Sequence, residues 1–219
     1  MTTTLDISSI TTETRTVLIG VSWDTYERLL TETGAARHQR FAYNNERLEI
    51  MVPLASHEEP TRLLDDFVAV LVDTLGIELR KLGSLTLKNT QQQKGLEPDC
   101  CFYIQNEAEV RGIDTLDFAV HPPPDLVVEV DNTSQSLDKF PIYVALKVPE
   151  IWRLRHNTLM IYGLDPQEQA YKAQSESIAF PGLPITDIPQ FILMAKQDGQ
   201  RSAIRAFRQA VQDAQKDGL

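Results

Sequence analysis

Asp99 and Glu129 stand thirty residues apart in closely similar settings. Asp99 lies in Glu97-Pro98-Asp99-Cys100-Cys101-Phe102-Tyr103-Ile104, and Glu129 in Pro123-Pro124-Asp125-Leu126-Val127-Val128-Glu129-Val130-Asp131. Each apolar run reads as a buried strand with proline just ahead of it. An ionised carboxylate in such a run is costly unless something pairs with it. Glu97 with Asp99, and Glu129 with Asp131, are two apart, so each couple projects from one face of its strand. Lys139 follows ten residues after Glu129, in Leu137-Asp138-Lys139-Phe140-Pro141-Ile142-Tyr143. Two buried acids on neighbouring strands plus a lysine form a divalent-metal constellation for phosphodiester hydrolysis. Mg²⁺ or Mn²⁺ held by Asp99 and Glu129 would make a water nucleophilic and offset phosphate charge. Mg²⁺ takes hard oxygen ligands and keeps several waters, so one or two carboxylates suffice. The lysine would steer the water or stabilise developing charge.

Each of these residues also has a structural role open to it. A strand-end carboxylate can cap a helix or pair with arginine. Asp131 reads equally as a strand exit, since Asp131-Asn132-Thr133-Ser134 is a turn and N-cap cluster. Lys139 can be a solvated helix lysine, and His57 can cap a helix starting at Ser56-His57-Glu58-Glu59. Arg153 and Arg155 can meet phosphate, or form the outer face of a hairpin with Trp152 and Leu154 inward. Cys100 and Cys101 read as core, because two cysteines without partner histidines make no zinc site.

The elements that must position these residues follow from periodicity. Residues 1–20 are polar and Thr-rich, an arm or an edge strand. Ser22 is an N-cap for a helix with Trp23, Tyr26, Leu29 and Leu30 at helical spacing. Residues 40–52 alternate as a hairpin turning at Asn44-Asn45. Residues 57–80 make a long amphipathic helix with Leu63, Leu64, Phe67, Val70, Leu71 and Leu75 on one face. Strands are expected near 84–89, 98–104 and 125–131. A short helix follows around Pro141, then a hairpin over 150–164 through His156-Asn157, then helices near 186–197 and 199–214. Residues 105–122 are a polar excursion. This alternation favours a mixed α/β fold, with an arm over 1–20, one domain over 21–197 and a C-terminal helix over 198–219.

Composition narrows the function. The chain has 219 residues, ordinary globular usage and a formal net charge of −10. A nonspecific nucleic-acid binder is usually basic, so a nucleic-acid substrate here needs metal ions and local cations to offset the acidity. No apolar run approaches the roughly 20 residues that span a bilayer, and the N-terminus lacks a basic secretory leader. Adjacent strand cysteines point to opposite faces, so no disulfide is expected between them. Free thiols fit a reducing cytoplasm.

Several motifs, in order, resemble one family. They are Leu48-Glu49-Ile50-Met51 with Ser56-His57-Glu58, Glu97-Pro98-Asp99, Pro123-Pro124-Asp125-Leu126-Val127-Val128-Glu129-Val130, Lys139 four residues before Tyr143, and Val148-Pro149-Glu150-Ile151-Trp152-Arg153. Together they resemble the restriction-endonuclease-like proteins abundant in cyanobacteria, within the PD-(D/E)xK nuclease superfamily. The resemblance runs from about residue 20 to residue 195. It implies a restriction-endonuclease-like core, a central mixed sheet flanked by helices, and a metal-dependent endonuclease acting on DNA. It makes Asp99 the aspartate of the Pro-Asp half-motif and Glu129 the acid of the second half. The superfamily lysine stands two residues after that acid, where this chain has Asp131, so Lys139 becomes the substitute. Glu49 and His57 would flank the metal. The alternative is a catalytically weakened descendant that binds nucleic acid or a protein. Cleavage of both strands of a duplex favours a homodimer, for which the Trp152 hairpin and C-terminal helices offer apolar surface.

Overall fold

The computed structural model describes residues 14–34, 37–53, 55–131 and 137–217. Its strands are β1 (Thr14–Ile19), β2 (Arg40–Asn44), β3 (Arg47–Val52), β4 (Arg80–Gly83), β5 (Leu87–Asn89), β6 (Lys94–Leu96), β7 (Cys100–Tyr103), β8 (Leu126–Asp131), β9 (Glu150–Arg155), β10 (Thr158–Asp165) and β11 (Ala170–Gln174). Its helices are α1 (Trp23–Thr33), α2 (Ala55–Leu75), α3 (Glu107–Val110), α4 (Phe140–Leu146), α5 (Ile188–Asp198) and α6 (Gln200–Asp217). None of the helices among the described residues is long and apolar enough to cross a membrane.

Two sheets organise the chain. The first is antiparallel, in the order β1-β3-β2-β6-β5. The second has the order β11-β10-β9-β8-β7-β4 and is antiparallel except for β8 and β9, which run parallel. A parallel pair needs a crossover, and α4 supplies it. The fold is thus mixed α/β, with a central mixed sheet flanked by helices, as expected. Sequence reading does not foresee the division into two sheets, because β4, β6 and β11 are short and carry little alternation.

One face of the mixed sheet carries Cys100, Phe102, Leu126, Val128, Val130, Trp152 and Leu154 against Leu63, Leu64 and Phe67 of α2 and Phe191 and Phe207 of α5 and α6. Phe67, Phe191 and Phe207 pack ring on ring, with centroids 4.8 to 6.3 Å apart. The opposite face carries Cys101, Val127 and Ile151 against Ile142 and Tyr143 of α4 and Leu87 and Leu96 of the first sheet. Side chains alternate across a strand, so the adjacent cysteines fall into different cores. Both thiols are free, and burial pushes each up to about 12.

Several local expectations are met. Ser22 Oγ accepts the Thr25 N–H at 3.2 Å and caps α1. The long helix stops at Leu75, short of the expected residue 80, with Gly76 at φ +65° just beyond it. The first hairpin turns one residue later than expected. Asn45 and Glu46, not Asn44-Asn45, hold the paired positive φ of 49° and 59° that a two-residue turn between twisted strands requires. His156 and Asn157 do the same between β9 and β10. Trp152 and the apolar stripe of α6, Phe207 and Val211, are fully buried within the chain. Met160 of the hairpin and Leu193 of α5 stay exposed. Residues 1–13 of the N-terminal arm lie outside the described residues.

Candidate active site

Strand β8 is buried along its whole length. Leu126, Val128 and Val130 take one face, and Val127, Glu129 and Asp131 the other. The carboxylate of Glu129 therefore points at α4. Asp138 Oδ1 accepts the Phe140 N–H at 3.1 Å and starts that helix, and Pro141 sits in its first turn, where a missing N–H costs nothing. Lys139 stands just before the helix and Tyr143 one turn on, with Tyr143 N–H donating to Lys139 O at 3.1 Å. Residues four apart share a helix face, so both reach the same acid. Lys139 Nζ donates to Glu129 Oε2 at 2.6 Å, and Tyr143 Oη donates to Glu129 Oε1. All three groups are buried. Burial, then the Glu129 charge, holds the Tyr143 phenol far above its ordinary range, so it stays a donor at any working pH. A small cavity of about 10 Å³ touches the group, lined also by Phe140, Ile151 and Arg153.

Asp99 sits in the bend before β7. Cys100 pairs with Val128 across the antiparallel ladder, so Asp99 and Glu129 are the next positions out. The ladder stops there, and Asp99 Oδ2 accepts the Val130 N–H at 2.7 Å in its place. Asp99 Oδ1 accepts from Arg40 Nη1. Arg40 also donates to Glu58 of α2 at 2.9 Å. Asp99 opens into a cleft of about 250 Å³ lined by Arg40, Glu58, Arg62 and Lys81 among others. The two acids thus neighbour each other along the backbone but line different clefts. Lys139 joins Glu129, and Arg40 joins Asp99.

The supporting acids are also paired. Glu49 accepts from Arg15 at 3.1 Å. Asp131 accepts from Arg153 Nε and lies 3.8 Å from Arg15 Nη2, so the last residue of β8 is both the strand exit and a buried, paired acid. Arg153 turns inward to this acid more than to solvent, which sequence alone left open. Glu97 is engaged elsewhere: it accepts from Arg37, from Thr86 Oγ1 at 2.6 Å and from the Phe41 N–H at 2.8 Å, joining β6 to β2. His57 lies in the first turn of α2, and its side chain is outside the described residues. Sequence reasoning missed Arg15 and Arg40, because a cation's partner sits far away in the chain. The four-residue step from Lys139 to Tyr143 was the available signal for the phenol.

Asp99 and Glu129 supply hard carboxylate oxygens from adjoining strands, the donor type that Mg²⁺ or Mn²⁺ takes. Their named partners are cations and hydrogen donors, so an ion binding there competes with Arg40 and Lys139. Among the described residues, no three His, Cys, Asp or Glu side chains converge as a ready-made metal cage.

The fold is mixed α/β, with Asp99 and Glu129 at neighbouring ladder positions near the end of a central strand and Lys139 on Glu129. The chain belongs to the Uma2 family, described as "Putative restriction endonuclease", whose model matches residues 23–188. It is also similar to a crystal structure from Anabaena variabilis described as a "putative nuclease". The two are 16% identical, the match covers 84% of this chain and 99% of that one, and the TM-score is 0.48. No curated protein matches the chain.

Proposed function

We propose that this protein is a metal-dependent endonuclease that hydrolyses DNA phosphodiester bonds at Asp99, Glu129 and Lys139. Membership of the restriction-endonuclease family supports the nuclease class. The observation that carries the site is the 2.6 Å contact between Lys139 Nζ and Glu129 Oε2. A lysine on a long stem can reach a site from a neighbouring element, and here the ammonium meets the acid although Asp131 holds the motif position. Asp99 and Glu129 would hold Mg²⁺ or Mn²⁺, which when bound supplies a nucleophilic water and offsets phosphate charge. Tyr143 fixes one oxygen of Glu129 and so orients the carboxylate. Lys139, which donates to Glu129, would lie near enough to donate to a phosphate oxygen. Arg153 and Arg15 offset the third carboxylate, Asp131, which would otherwise repel the phosphate.

The pairing of each acid with a cation favours one other reading, a nuclease fold that binds nucleic acid without cutting. Arg40 on Asp99 is its main support. Cleavage of circular DNA, which has no ends, separates the two. With Mg²⁺ or Mn²⁺ the wild type should cut the circle, and Asp99→Ala should not. Calorimetry gives a second readout. Metal that binds only the native state raises its melting temperature with concentration, and Asp99→Ala should abolish that rise. A wild type that neither cuts nor responds to Mn²⁺ leaves the binding reading in place.

A further inference from the structure

The outer face of the mixed sheet continues sideways from Glu129. Glu129 is paired in register with Arg153, and Arg153 with Met160. The adjoining row runs Asp131, Arg155, Thr158. Met160 is 42% exposed, and Tyr162, two residues on and on the same face, donates to its sulfur at 3.3 Å. Phe140 lies 4.9 Å from the Tyr162 ring and 5.5 Å from Tyr171, centroid to centroid, and Arg153 lies 6.0 Å over its face. All three rings are only half-buried. Arg155 is exposed and has no ion-pair partner among the described residues. An apolar and aromatic shelf with a free guanidinium therefore begins one strand away from the candidate catalytic acid.

We infer that this shelf, formed by Phe140, Met160, Tyr162 and Arg155, seats an unpaired DNA strand and that the substrate is single-stranded DNA. The inference rests on the reading of the Glu129 site as one for DNA. Charge and chemistry choose the unpaired form. A duplex carries one phosphate charge per roughly 1.7 Å of axis and turns its base faces inward, so an apolar shelf has nothing to meet. This chain is acidic overall and offers few unpaired cations near the site. An unpaired strand asks for fewer of them and presents base faces, which stack on aromatic side chains whatever their sequence. Bases on Tyr162 and Met160 would set the backbone along Arg155 and Arg153, and that line ends at Glu129 and Lys139.

Fluorescence anisotropy of a short labelled oligothymidine, alone and annealed to its complement, tests this in EDTA, where no cleavage occurs. The single strand should bind about tenfold more tightly than the duplex. Tyr162→Leu, which keeps apolar bulk and removes the ring, should weaken single-strand binding about tenfold. Arg155→Ala, on an exposed residue, should reduce the salt dependence by roughly 0.7 in log–log slope. Equal or tighter duplex binding, no binding to either form, or binding indifferent to both Tyr162→Leu and Arg155→Ala overturns the inference. Asp99-dependent cleavage without single-strand preference would remove the shelf and leave the hydrolytic site. Shelf-dependent binding without cleavage would do the reverse.

Discussion

Glu129 and Glu150 are two buried glutamates on adjacent parallel strands, and they are held in opposite ways. Glu150 is fully buried, and its donors among the described residues are neutral. Trp152 Nε1 donates at 2.5 Å and the Ala179 N–H at 2.7 Å. Burial raises its pKa, and hydrogen bonds from Ser177 and from the Ala179 and Ile178 backbone only partly offset that. Its oxygens hold the segment around Ser177–Phe180 against β9, and no arginine or lysine is among these partners. Glu129 instead meets a lysine and a phenol beside a small cavity. A carboxylate inside an apolar strand is therefore not a site in itself. A mobile-stemmed cation and an adjoining cavity are what set Glu129 apart.

The largest effect expected from this comparison is at Lys139. Lys139→Met should lower cleavage by roughly 10²–10³, the usual loss of one transition-state-stabilising group. Without metal it should also destabilise the fold by about 3–5 kcal/mol, because buried Glu129 loses its partner. Adding Glu129→Gln should recover much of that stability in denaturant titrations and none of the activity. If Lys139→Met cuts normally, Glu129 and Glu150 are the same kind of residue.

Glu150→Gln should act on stability alone, by about 1–3 kcal/mol, since an amide nitrogen would then face N–H donors. It should also change the pH profile. The native carboxyl holds its proton to a higher pH than the unfolded chain does, so Glu150 lowers stability as pH rises from its ordinary value through its raised one. Stability of the wild type measured across that range should carry this downward slope, and Glu150→Gln should remove it. A loss of kcat in fully folded Glu150→Gln would break the contrast.

Tyr143→Phe should cost about 1 kcal/mol and a small factor in kcat, with the larger change in metal affinity, because it frees one oxygen of Glu129 from its donor. Smallest of all is Lys147→Ala. Lys147 is exposed at the C-terminal end of α4, and activity and stability should stay within about 0.5 kcal/mol of wild type. Abolished cleavage in Lys147→Ala with normal cleavage in Lys139→Met would transfer the lysine's role.

Much of the fold is legible where periodicity is long. The α2 stripe, the two hairpins and the β8 run all follow from spacing, and Ser22 marks a helix start for a local reason. The first hairpin turn is misplaced because Asn44 suits a turn by composition, while the register of Tyr43 with Leu48 and Asn44 with Arg47 is set by two strands at once. Of the site, the acids and the Lys139–Tyr143 step are visible in the sequence, since they are close in the chain. Their arginine partners are not. Arg40 and Asp99, or Arg15 and Asp131, meet only because sheets bring distant strands together. Asp125 shows the same limit. It shares the proline-led setting of Asp99, yet it fastens the turn after β7 by accepting from the Ile104 and Asn106 N–H groups at 2.7 and 3.0 Å.

The neighbouring cysteines have a use that their burial conceals. Cys100 belongs to the core under α2, α5 and α6, and Cys101 to the core under α4. Thiolate is the reactive form, and burial pushes both thiols up to about 12, so each reacts faster when its own layer parts. One strand thus carries two built-in reporters, one per layer. Alkylation at Cys101 times the breathing of the crossover that carries Lys139, and alkylation at Cys100 times the loosening of the helical layer behind it.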